Sequence, residues 1–103
     1  MQESERPLKK PFFVKPVLEK DIEKAGGDFA FRRGWFTLKL TSPSRRGWPD
    51  RFYARRGRIV LVEWKRPGEE PDPLQAKMHK DLRAHGVEVH WLTSLEQAKE
   101  LFQ

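Results

Sequence analysis

The eight residues Arg58-Ile-Val-Leu-Val-Glu-Trp-Lys65 constrain this chain more than any other stretch. A strand alternates its side chains between two faces, so Ile59 and Leu61 point one way and Val60, Val62 and Trp64 the other. A strand apolar on both faces belongs in the middle of a sheet that is covered on both sides. It needs a strand at each edge and helices above and below. Its far end breaks the apolar pattern: Glu63 and Lys65 share one face, and Trp64 points away. Charge is tolerated in such a place only when it is paired or bound to a metal.

The flanking sequence supplies the required neighbours. Val17, Leu18, Ile22, Ala25 and Phe29, three and four residues apart, predict a helix from Val17 to about Arg33. Gly26 and Gly27 each cost such a helix about 1 kcal/mol relative to alanine. The helix is nevertheless expected to run through them, with the glycines allowing close packing. Trp35 to Leu40 reads as a strand and Thr41 to Gly47 as a loop. Asp50 to Ala54 is a second strand, Arg55-Arg56-Gly57 a turn, and Arg58 to Lys65 the third strand.

After the loop Pro67-Gly-Glu-Glu-Pro71, Asp72 can cap a helix whose first residue is Pro73, with Gln75 placed for a capping box. Leu74, Met78, Leu82 and His85 are expected to stripe its buried face, and Gly86 to end it. Val87 to Leu92 is a fourth strand, reached through a helix and hence expected parallel to the third. Thr93 or Ser94 caps a last helix to Phe102. The fold class is α/β, a mixed four-stranded sheet flanked by helices in the order α-β-β-β-α-β-α. Residues 17–103 form one domain. Residues 1–16, punctuated by Pro7, Pro11 and Pro16, form an irregular arm, whose Phe12, Phe13 and Val14 offer apolar contact to the domain or to a second copy.

Charge and composition narrow the partners. A net charge of +6 on 103 residues favours a polyanion, nucleic acid before an acidic membrane. The absence of cysteine excludes disulfides and thiolate zinc sites. No apolar run approaches the roughly 20 residues of a membrane span, and the amino terminus lacks the apolar centre of a signal peptide. A soluble, cytoplasmic protein is expected. His79, His85 and His90 lack metal-ligand spacing and read as structural or surface groups.

The hairpin between the second and third strands carries the chemistry. If its turn is centred on Arg56-Gly57, Arg55 faces Arg58, and following the ladder five residues further along each strand brings Asp50 opposite Glu63. Directly opposed residues have Cβ atoms about 4.5–5.5 Å apart, and two carboxylates that close repel unless a cation or proton lies between them. A three-residue turn would shift the register and separate them. Oxygen ligands with open water positions suit Mg²⁺ or Mn²⁺. Such an ion neutralises a phosphodiester and yields hydroxide near neutral pH, while a lysine beside it can steady the phosphate.

Gly47-Trp-Pro-Asp50-Arg, then Val62-Glu63-Trp64-Lys65, then Gln75, with Glu19 opening the first helix, resembles the VRR-NUC family of PD-(D/E)xK nucleases from about Leu18 to Leu95. The resemblance implies a restriction-endonuclease-like core with a metal held by Asp50, Glu63, Glu19 and the backbone carbonyl of Trp64. It implies Lys65 as the catalytic lysine and Gln75 at the site from the following helix. It further implies a stand-alone phage or bacterial enzyme, without room for a targeting domain, acting as a homodimer on branched DNA such as Holliday junctions; if phage-encoded, it would work in the cytoplasm of a bacterial host.

Bland readings stand beside these. Gln75 has a capping role that needs no chemistry, and Glu19 is welcome at a helix N-terminus on electrostatic grounds alone. Trp48 can stack on a base or pack in the core. Lys39, Arg45, Arg46, Arg51 and Arg66 are candidates for phosphate contacts. A catalytically silent DNA-binding module and an RNA-cleaving enzyme on the same fold remain as alternative functions.

Overall fold

The computed structural model describes residues 17–41 and 46–103; the arm at residues 1–16, with Phe12, Phe13 and Val14, and Arg45 in the loop lie outside the described residues. The elements follow the predicted order: α1 (Glu19–Arg32), β1 (Phe36–Lys39), β2 (Arg51–Arg55), β3 (Arg58–Trp64), α2 (Pro73–Ala84), β4 (Glu88–Leu92) and α3 (Leu95–Leu101). The sheet runs β1-β2-β3-β4, antiparallel except for the β3–β4 pair. The doubly apolar strand is thus central, with a partner on each edge.

α1 and α3 cover one face. Val60, Val62 and Trp64 of β3 are fully buried there with Tyr53, Leu92, Ile22 and Ala30 of α1, Ala98 of α3, and Phe102. Trp35 closes this core: its ring meets Phe102 edge-on at 5.3 Å and its indole N–H donates to the Phe102 carbonyl at 3.0 Å. α1 is continuous through its glycines because the Trp64 indole lies against it. A Cβ on Gly26 would come within 2.4 Å of the Trp64 ring and 3.1 Å of the Ala98 Cβ, whereas one on Gly27 would meet nothing closer than the Tyr53 hydroxyl at 3.9 Å. The close approach is of a side chain to helix backbone, at one glycine of the pair.

α2 covers the other face only in part. Leu61, Glu63 and Val89 are buried beneath it. Phe36, Leu38 and Ile59 lie on the same face by register and are each at least half exposed, so β3 is covered on both sides only from Val60 onward. The expected stripe on α2 is corrected. Leu74 and His85 are exposed and Met78 and Leu82 half-buried, while the buried residue of the helix is His79. The helix turns toward the sheet about one residue from the apolar stripe because Glu63, a polar partner, lies beneath it.

Gly26→Ala is expected to destabilise the domain by about 1–3 kcal/mol through overpacking against Trp64. Gly27→Ala is expected to be neutral or to stabilise by up to about 1 kcal/mol through helix propensity. Urea denaturation of the two variants checks this, and equal effects would contradict the assigned role of Gly26.

Candidate active site

The β2–β3 turn has two residues, Arg56 (φ 50°) and Gly57 (φ 83°), both in the left-handed region that matches the twist of a tight hairpin. Arg55 pairs with Arg58 and the ladder runs back unbroken to Arg51 opposite Val62. One further step places Asp50 across from Glu63. The loop leading to Asp50 is anchored as well. Gly47 (φ +89°) crosses the start of α2, where a Cβ would come 2.8 Å from the Leu74 carbonyl oxygen, and Pro49 is fully buried. The Asp50 carbonyl accepts from the Leu40 N–H at 2.9 Å, and its Oδ2 accepts from the Trp64 N–H at 2.9 Å.

The two carboxylates feel each other. Burial pushes Asp50 up to about 6; the Trp64 N–H opposes this, and the charges of Glu63 and Glu23 with the Glu63 side chain reinforce it. Glu63 is only 2% exposed. Its Oε2 accepts from Gln75 Nε2 at 3.1 Å, and its Oε1 is buried with no hydrogen-bond partner among the described residues. Burial also raises Glu19 at the start of α1; the charge of Asp50 adds to this and that of Lys65 offsets it. Glu19, Asp50, Glu63 and Lys65 therefore gather at one end of the sheet.

Among the described residues no three His, Asp or Glu side chains stand close enough to cage an ion unaided. Mg²⁺ asks for less: it retains several waters and is usually held by one or two carboxylates. Asp50, whose carboxyl is raised in proton affinity, and the buried Glu63 beside it, with one oxygen unpartnered among the described residues, fit that donor set.

Gln75 caps α2 and touches Glu63 at once. Its backbone N–H donates to Asp72 Oδ1 at 2.8 Å and its Oε1 accepts from the Asp72 N–H at 3.0 Å, completing the capping box, while its Nε2 reaches Glu63. Trp48, half-buried, lines a groove with Met78, Asp81, Leu82 and His85 of α2. Of the basic candidates, Lys39 and Arg46 are exposed. Arg51 is tied to Glu23 at 2.8 Å and Arg66 to Glu69 at 2.9 Å.

Two residues near the site were not singled out from sequence. Glu23 lies one helical turn after Glu19, a spacing that could have flagged it. His79 lies one turn after Gln75 and places its Nε2 3.8 Å from Glu63 Oε1. His85 is exposed, bonded to the Asp81 carbonyl, and His90 is bonded to Glu88.

No protein-family model matches the chain. It is 42% identical over 79 residues to a protein described as "Putative nuclease p44" of Acyrthosiphon pisum secondary endosymbiont phage 1, covering 76% of this chain and 85% of that one. A solved structure described as a VRR_NUC domain matches with a TM-score of 0.75 at 30% identity, over 81% of this chain and 91% of the other. The architecture is that of the restriction-endonuclease-like nucleases, a mixed sheet with helices on both faces. Within that class, the chain belongs to the VRR-NUC family.

The raised Asp50 makes the metal-free protein pH-sensitive. A carboxyl whose folded value lies above its ordinary one, here about 6 against 3.8, contributes stability below the lower value that is lost as pH rises through the upper. In EDTA, the wild type should therefore lose stability relative to Asp50→Asn between about pH 4 and 7. Thermal melts of both proteins check this; a flat difference, or one of opposite slope, would contradict it.

Proposed function

We propose that the chain is a metal-dependent endonuclease that hydrolyses DNA phosphodiester bonds, selects branched DNA such as Holliday junctions, and works as a homodimer in the cytoplasm, that of a bacterial host if the gene is phage-borne. The observation that carries this reading is the meeting of the Asp50 and Glu63 carboxylates at the end of the hairpin, with Lys65 just past the end of β3. When bound, Mg²⁺ or Mn²⁺ supplies Lewis acidity toward a phosphate oxygen and toward the attacking water. Asp50 and Glu63 would hold the ion, the Trp64 backbone carbonyl would be a further oxygen donor, and Glu19, not close enough to join both carboxylates directly, would reach it through a bound water. Gln75 keeps Glu63 oriented, and the Lys65 ammonium offsets charge that builds on the phosphate as the bond breaks.

Lys39 and Arg46, exposed, and Arg45 in the same loop supply phosphate contacts that position DNA without reading its sequence. Arg51 and Arg66 join them by exchanging Glu23 and Glu69 for phosphate. The homodimer reading draws on two facts. Cutting a four-way junction symmetrically needs two sites related by a two-fold axis, and the open sheet face carries Phe36, Leu38 and Ile59, with Phe36 edge-on to Phe52 at 6.4 Å.

The test is cleavage of four-way, flap, linear duplex and single-stranded DNA and of RNA, with Mg²⁺, Mn²⁺ or EDTA, alongside the solution mass. The four-way junction should be cut best, and nothing should be cut in EDTA. Asp50→Ala and Lys65→Ala should each lose roughly 10²-fold or more of the rate, and the mass should be that of a dimer. Cleavage that survives EDTA or either substitution would overturn the mechanism. Preference for RNA would overturn the substrate, binding without cleavage the enzymatic reading, and a strict monomer the two-site scheme.

A further inference from the structure

His79 and Glu63 are the two buried polar or charged residues of the described core, each 2% exposed. They face each other from α2 and β3, with Nε2 and Oε1 3.8 Å apart. Neither atom has any other hydrogen-bond partner among the described residues. The gap is about 0.9 Å longer than an ideal N–H···O bond, so the two atoms face each other without yet being bonded. A buried donor or acceptor left unmade is costly, so each of these atoms is the other's available compensation.

The setting is built for it. The capping box spends the Oε1 of Gln75 on the Asp72 N–H and leaves Nε2 for Glu63 Oε2 at 3.1 Å. His79, four residues later, lies on the same helical face and addresses the other oxygen of the same carboxylate. We propose that His79 is a positioning residue: its Nε2–H grips Glu63 Oε1 as Gln75 grips Oε2, so that two residues of α2 set the angle at which Glu63 faces Asp50. The inference rests on the reading of Glu63 as a metal-holding carboxylate. Hydrogen bonds from neighbouring groups orient a ligating carboxylate, and their loss typically weakens metal affinity 10–100-fold.

Two readouts test the clamp, and neither is catalysis. In the metal-free protein in EDTA, ¹⁵N NMR of the histidine ring should show a protonated Nε2 whose hydrogen is protected from solvent, and the protection should vanish in Glu63→Ala. Direct Mn²⁺ titration of the full chain, by calorimetry or electron paramagnetic resonance, should give roughly 10–100-fold weaker binding in His79→Phe, which keeps volume and removes the donor. His79→Gln, which restores an N–H donor, should recover most of the loss. An unprotonated or freely exchanging Nε2, unchanged Mn²⁺ affinity in a folded His79→Phe, or a folded His79→Gln as weak as His79→Phe would each overturn the proposal. If His79→Phe does not fold, the ring signal and His79→Gln decide. If the wild type binds no Mn²⁺, the metal reading of the site falls while the ring signal still judges the clamp.

Discussion

The register of one hairpin governs this molecule. Arg56 and Gly57 both adopt positive φ, which makes the turn two residues long and brings Arg55 opposite Arg58. Because side chains in a strand alternate with period two, one more residue in that turn would move every side chain of β2 to the opposite face. Tyr53 would leave the core, and Asp50 would no longer stand across from Glu63. Core packing and site geometry thus depend on the same pairing, and the apolar contacts of Tyr53 with Phe102, 4.6 Å between ring centres, hold the carboxylates in place from the other side of the sheet.

β3 divides its work between its faces. Val60, Val62 and Trp64 fill the layer under α1 and α3, and the Trp64 indole reaches so far into α1 that only glycine fits at position 26. Leu61 and Glu63 turn toward α2. Trp64 also serves the site through its backbone, whose N–H holds Asp50. Its ring fixes the height of the strand against the helix, and its peptide fixes the aspartate.

Much of this was legible in the sequence because it follows from local rules. The two-sided apolar run marked the central strand, Arg56-Gly57 marked the turn, and together they located Asp50 against Glu63. Asp72, Pro73 and Gln75 announced the start of α2. What could not be read was the rotation of α2 about its axis. Leu74, Met78, Leu82 and His85 form a plausible apolar stripe, but Glu63 beneath the helix draws Gln75 and His79 to the sheet instead. A buried polar pair is invisible to hydrophobic periodicity, since each member reads as a surface residue until its partner from another element is known. The ion pairs of Arg51 with Glu23 and Arg66 with Glu69 were hidden for a similar reason, because charge counting assigns cations to a ligand before it assigns them to the protein's own acids.

The claim that Asp50 and Glu63 grip one cation is tested most directly by crystals grown with Mn²⁺ and measured at a wavelength where manganese scatters anomalously. The account predicts a single strong anomalous peak between the two side chains, about 2.0–2.3 Å from an oxygen of each. No peak there, or a peak elsewhere while the two carboxylates stay apart, would contradict it.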